Sequence, residues 1–119
     1  MKYDYIIVGA GSAGCVIASR LSDDPNKSIL LLEAGPDYPE FEHYPDDLKF
    51  GYNQTASAID APHNWSFQGN PTPEQPEPMP VPRGRVVGGS SAINGQVLLR
   101  GIPEDYDSWA AMGNDQWGF

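Results

Sequence analysis

Two glycine-rich segments carry the chemistry that can be read from this 119-residue chain. The first, Gly9-Ala10-Gly11-Ser12-Ala13-Gly14, has the pattern G-x-G-x-x-G. Gly9 permits a tight turn, Gly11 lets the main chain approach a pyrophosphate, and Gly14 lets a helix lie close to the preceding strand. Free N–H groups at the start of that helix, at the positive end of its dipole, suit phosphate. Glu33 follows nineteen residues after Gly14. From there a carboxylate can accept hydrogen bonds from both hydroxyls of a ribose, and it would repel a 2′-phosphate. The second segment runs Pro82-Arg83-Gly84-Arg85-Val86-Val87-Gly88-Gly89-Ser90-Ser91-Ala92-Ile93-Asn94-Gly95. Its paired glycines and serines expose consecutive N–H groups, a concavity that attracts anions, and its arginines add positive charge. Taken singly, each segment is also compatible with a glycine turn flanked by a surface glutamate or by solvated arginines. Taken together, they point to one dinucleotide gripped from both sides.

The elements that would position these loops follow from periodicity. Residues 4–9 form a short, β-branched apolar run ending at glycine, which predicts a strand buried on both faces. Ala13, Val16, Ile17 and Leu21 recur at spacings of three and four, predicting one apolar face of a helix over 12–22, ended by Asp23-Asp24-Pro25. Residues 28–33 are a second buried-strand run. Strand, glycine turn, helix and strand make the opening of a right-handed parallel β-α-β unit. The expected class is α/β: a Rossmann-like, dinucleotide-binding parallel sheet, incomplete, with a long proline-rich excursion.

That excursion, residues 36–82, separates the β-α-β unit (1–35) from the second glycine segment and its following helix (83–119). It holds ten of the twelve prolines and eight acidic residues against one basic residue, Lys49. Such a composition is compatible with disorder. Phe41, Tyr44, Phe50, Tyr52, Trp65 and Phe67 favour an ordered excursion instead, one that needs a body to pack against. Residues 83–101 contain three arginines and no acid. Pro103, Glu104 and Asp105 suit a helix N-terminus, Tyr106, Trp109 and Ala110 share a face, and Gly113 suits the stop. An extended piece at 96–100 is the one further strand the pattern allows.

The two glycine segments, with Leu31-Leu32-Glu33-Ala34-Gly35 and Arg100-Gly101 followed by Asp105-Tyr106-Asp107-Ser108-Trp109, resemble the glucose–methanol–choline (GMC) oxidoreductases over essentially the whole chain. The resemblance implies FAD, bound through Gly9, Gly11, Ser12, Ala13 and Gly14 at the pyrophosphate and through Glu33 and Ala34 at the adenosine ribose. It implies that Gly88 to Val97 runs beside the ribityl chain and flavin ring, with Ser90, Asn94, Gly95 and Val97 in contact. Arg85, Gly88 and Gly89 belong to the same cofactor-facing stretch. Some family members attach FAD covalently through a histidine in this stretch. Ile93 stands at that position here, so the flavin is expected to be non-covalent. The implied activity is hydride transfer from an alcohol carbon to the flavin, with oxygen or another acceptor as reoxidant. Non-redox members, a hydroxynitrile lyase or a fatty-acid photodecarboxylase, and a non-catalytic nucleotide-binding module remain as alternatives.

No catalytic residue can be assigned. The family's catalytic histidine, with its histidine or asparagine partner, lies far toward the C-terminus of longer chains. His43 and His63 fall in the excursion, where each is expected to be solvated or to serve packing. The chain therefore reads as the N-terminal part of a larger enzyme, without its substrate domain. Composition narrows the rest. With 7 Lys and Arg against 16 Asp and Glu, the net charge is −9, which argues against nucleic acid as a partner. No apolar run is long enough to cross a membrane. A single cysteine, Cys15, excludes an internal disulfide or a cysteine-based zinc cluster. It is expected to pack as a small apolar group, with a reactive role left open by its place near a helix start. Lys2 and Ser12 to Cys15 faintly resemble a lipoprotein signal, but Asp4 and three glycines break its apolar region. The expected location is the cytoplasm.

Overall fold

A computed structural model describes residues 2–119. Tyr5–Val8 (β1) and Ile29–Leu32 (β2) pair in parallel, from Tyr5 opposite Ile29 to Val8 opposite Leu32, and helix Ser12–Leu21 (α1) makes the crossover. At the start of the pair, the Asp4 carboxylate accepts the Ser28 main-chain N–H at 2.9 Å and its hydroxyl at 2.8 Å. These two bonds, the main-chain one foremost, hold the Asp4 carboxyl below the ordinary carboxylate range. At the other end the Gly9 N–H donates to the Leu32 carbonyl at 2.7 Å. The β-α-β reading is thus observed.

The faces differ from those read in the sequence. A Cβ on Gly14 would run into the Gly9 carbonyl, so this close approach sets the rotation of α1 about its axis. Gly14, Cys15, Ala18 and Leu21 turn inward, whereas Val16 and Ile17 are exposed. Periodicity alone placed Val16 and Ile17 on the buried face. The strands are not covered on both sides either: Val8 is 83% and Ile6 60% exposed. The element that packs on this sheet is α1, and one layer covers one face.

The excursion is ordered through short elements: single 3₁₀ turns at Phe41–His43, Gly51–Asn53 and Thr55–Ser57, the one-turn helix Asp46–Lys49 (α2), and an antiparallel pair, Phe67–Gly69 (β3) with Met79–Val81 (β4). Pro80 lies opposite Gln68 in that pair, and a two-stranded ribbon tolerates its missing N–H. The body it packs against is the second glycine segment. Leu48 and Ala56 from the excursion close on Val86 and Ile93, edged by Tyr38, Tyr44 and Ala92. This cluster is small. The radius of gyration, 19.0 Å, exceeds the roughly 14 Å of a compact chain of this length.

Helix Pro103–Ala111 (α3) has proline at its start, Glu104 and Asp105 in its first turn, and Gly113 at φ 100° just beyond its end. The extended piece expected at 96–100 pairs with no strand among the described residues, and Val97, Leu98 and Leu99 are exposed. No helix among the described residues is long and apolar enough to cross a membrane. Leu48 is 2% exposed. Leu48→Ala should therefore destabilise the protein by about 2–5 kcal/mol in chemical unfolding, while Glu42→Ala, at an exposed position, should change it by less than about 0.5 kcal/mol.

Candidate nucleotide-binding site

The two glycine loops meet main chain to main chain. The Gly88 N–H donates to the Ala10 carbonyl at 2.7 Å, and Gly11 pairs with Gly88 as an isolated parallel bridge. Gly89 has φ 59°, and a Cβ there would stand 2.9 Å from the Gly11 Cα. Neither that backbone conformation nor that gap suits another residue. Beside the contact, the hydroxyls of Ser12 and Ser91 lie 2.6 Å apart, joining the start of α1 to the 3₁₀ turn Gly89–Ser91.

Glu33 sits just beyond β2 and holds the first loop from the other side. Its Oε2 accepts the Ala10 N–H at 2.8 Å, and its Oε1 accepts the Gly35 N–H at 2.9 Å. A carboxylate has about four acceptor positions, so each oxygen keeps one for a further donor such as a ribose hydroxyl. The chain after Glu33 then runs along the second segment, where the Val87 N–H donates to the Pro36 carbonyl at 3.0 Å.

Between these pieces lies a cavity of about 590 Å³, within the size range of small-molecule sites. Gly9, Gly11, Glu33, Ala34, Gly89 and Ser90 all line it. Ser90 also lines an adjoining cavity of about 330 Å³, together with Asn94, Gly95 and Ile93. Ser90 thus links the two. The other residues singled out in the sequence lie elsewhere. Ser12 is taken up by Ser91, and Ala13 is exposed on the first turn of α1. Gly14 packs on Gly9, and Gly88 is bonded to Ala10. Val97 is 71% exposed and lines neither cavity. Arg85 lines neither as well: its guanidinium donates to the Pro62 carbonyl at 3.0 Å and lies 5.8 Å from the Trp65 ring centroid. The arginine at the first cavity is Arg83.

Sequence reasoning missed the polar pair that anchors the second segment. Asn64 is buried and its amide is fully used: Nδ2 donates to the carbonyls of Ser57 (3.1 Å) and Ala58 (2.9 Å), and Oδ1 accepts the N–H groups of Ser66 (3.1 Å) and Arg83 (3.0 Å). His63 is also buried. Its Nδ1 lies 2.9 Å from Asp47 Oδ2, its Nε2 lies 2.9 Å from the Tyr38 hydroxyl, and its carbonyl accepts the Arg85 N–H at 2.7 Å. His63 therefore packs, while His43 is exposed beside Glu40. Trp65 and Phe67, which wall the first cavity, were read only as aromatics favouring order. Their spacing of two gives no strand signal, since Trp65 precedes β3 and Ser66 between them has φ 56°, outside an extended strand. Cys15 is half-buried, and its thiol meets the Ala10 carbonyl at 3.2 Å.

These features fit a dinucleotide. Two loops approach where a Cβ has no room, a carboxylate keeps two acceptor positions, and an open cavity touches both. Among the described residues, no group of three or more His, Cys, Asp or Glu side chains could hold a metal ion.

Comparison with known proteins agrees. The chain is 47% identical to an alcohol dehydrogenase [acceptor] of Pseudomonas putida, over 98% of this chain and 20% of that protein. It resembles the crystal structure of pyridoxine 4-oxidase from Mesorbium loti with TM-score 0.65 and 31% identity, over 99% of this chain and 22% of that one. It also resembles an FAD-dependent oxidoreductase from Chaetomium thermophilum with TM-score 0.61 and 34% identity, over 98% of this chain and 19% of that one. The chain thus spans about a fifth of the length of the relatives it matches. The profile of the GMC oxidoreductases matches residues 3–119, and the chain belongs to that family.

Proposed function

We propose that this chain is the FAD-binding part of an enzyme that oxidises an alcohol, a small molecule, with oxygen or another compound as electron acceptor. The observation that carries the reading is the joined pair of glycine loops closing on Glu33, in a chain of this family. The alcohol dehydrogenase and pyridoxine 4-oxidase named above support the substrate class. Bound FAD would supply the hydride acceptor for oxidation of the carbon that bears the substrate hydroxyl.

The chain's own residues bind and orient. With the Gly9 N–H taken by Leu32 and the Ala10 N–H by Glu33, Gly11 and the positive end of α1 are left to meet the pyrophosphate, and Arg83 adds positive charge at the cavity that Gly11 lines. Glu33 accepts the ribose hydroxyls with its two remaining acceptor positions, and a 2′-phosphate there would meet its negative charge. Ser90 leads from the first cavity to the second, where Asn94 and Gly95 hold the flavin half. Ile93 is 3% exposed and packs in the apolar cluster. It has no nucleophilic atom to offer, so the flavin is held without a covalent bond. None of these residues is suited to take the hydroxyl proton. Asn94 carries an amide, both ring nitrogens of His63 are engaged, and His43 lines neither cavity.

Glu33→Ala should lower flavin retention at least tenfold, since a hydrogen bond to a charged group contributes about 1.5–3 kcal/mol. The check is the ratio of flavin to protein absorbance after gel filtration of the full-length variant; unchanged occupancy would count against the ribose role. Acid or heat denaturation of the holoenzyme should release all flavin into the supernatant. Flavin that sediments with the polypeptide would show a covalent link.

A further inference from the structure

We propose that Asn94-Gly95 is a site of spontaneous modification, at which the Asn94 amide is lost to attack by the Gly95 nitrogen, and that flavin in the second cavity shields it. The modification is a property of the chain's own residues and goes beyond the FAD reading; the shielding rests on that reading.

The chain has six asparagines, and Asn94 is the one followed by glycine. Glycine has no Cβ to stand between its nitrogen and the neighbouring amide. The other five precede Lys27, Gln54, Trp65, Pro71 and Asp115. Asn94 is exposed, and the Gly95 N–H makes no hydrogen bond among the described residues. The Asn94 side chain is folded back over the next peptide. Its Oδ1 accepts the Gln96 N–H at 2.6 Å, and its Nδ2 donates to the Ser91 carbonyl at 2.8 Å. A bond from an asparagine to the N–H two residues on closes an Asx turn, and the ring so formed contains both Cγ and the Gly95 nitrogen. Electrophile and nucleophile are thus held together. The Gln96 N–H points at the oxygen that becomes negative when Cγ is attacked, as the donors of an oxyanion hole do. Asn64 is the contrast: it is buried, its amide is taken at both ends, and tryptophan follows it.

The Gly95 nitrogen first gives its proton to hydroxide. It then attacks Cγ: the N–Cγ bond forms, the Cγ–Nδ2 bond breaks, and Nδ2 leaves as ammonia with a proton from water. The succinimide that results takes up water at either carbonyl. Opening at Cγ gives aspartate, and opening at the main-chain carbonyl gives isoaspartate, with the chain routed through the former side chain. No electrons are exchanged. Either product removes the Nδ2 donor from the Ser91 carbonyl and brings a negative charge to the cavity that Asn94 lines with Ser90 and Ile93. Isoaspartate also lengthens the main chain ahead of Gln96, whose side chain donates to the Leu48 carbonyl at 3.3 Å. Damage at one peptide therefore reaches the excursion. Nothing in the fold requires glycine at 95: its φ lies outside the left-handed region, and an added Cβ would find its nearest neighbour, Gln54 Nε2, at 3.7 Å.

The test incubates the full-length protein, with FAD and stripped of it, in mildly alkaline buffer. Peptide mass mapping follows conversion of amide to acid, and enzymatic methylation counts isoaspartate. In the stripped protein residue 94 should convert before any other asparagine, with isoaspartate among the products. Flavin uptake should fall in step with the converted fraction. Gly95→Ala, which crowds the attacking nitrogen, should slow the conversion at least about tenfold. Conversion at 94 no faster than at Asn53, which is also exposed, would overturn the proposal, as would an equal rate in Gly95→Ala. The comparison with Asn53 needs no variant and stands even where Gly95→Ala does not fold. Bound FAD should slow conversion at 94 and leave Asn53 unaffected; equal rates with and without FAD would overturn the shielding. A native protein that takes up no FAD would overturn the proposed function, whereas slow conversion at 94 alone would leave that function standing.

Discussion

The peptide groups around Ala10 join three segments that are remote in the chain. The Ala10 N–H is taken by Glu33 and its carbonyl receives the Gly88 N–H, while the Cys15 thiol meets the same carbonyl. Ala10 itself is 1% exposed. Buried main-chain groups must be paired, and here the partners are the end of β2 and the second glycine segment. The bare main chain of Gly11 and Gly89 is what lets the segments come close enough. The setting of α1, the placement of Glu33 and the opening of both cavities depend on this junction.

The excursion holds the second segment at that junction. Its apolar side chains, Leu48 and Ala56, close on Val86 and Ile93, and its polar pair, His63 and Asn64, takes the N–H groups of Arg85 and Arg83. A long insertion costs little extra closure entropy for each doubling of its length. It must still present specific partners, and a single fully bonded amide does much of that. Its charge is separate from that task. Eight acids lie in the excursion, and none between Arg83 and Gly101. An acidic chain can therefore keep a positively charged segment beside the cavity that the glycine loops line.

What could be read in advance was local. β1, α1 and β2 follow from β-branched runs and glycine spacing, and α3 from a proline, two acids and a later glycine. The placement of Gly9, Gly11, Glu33 and Gly89 around one cavity was legible because it is set by main chain and by the end of a strand. Which way α1 faces was not legible, because the contact of Gly14 with Gly9 outweighs the apolar pattern of Val16 and Ile17. Nor was the choice between Arg83 and Arg85, which is settled by the Pro62 carbonyl and the Trp65 ring, both about twenty residues away. Asn64 and Trp65 lie in a stretch with no period, where a side chain's partners depend on how the loop closes.

The junction at Ala10 also has a history in time. Gly88 is translated 78 residues after Ala10, an interval of about 4–16 s at ordinary ribosomal speeds. Throughout it the first loop can have its turn and helix, but the Ala10 carbonyl still lacks the Gly88 N–H. The nascent chain thus carries half of this junction, whose completion marks the earliest point in synthesis at which both loops can line one cavity.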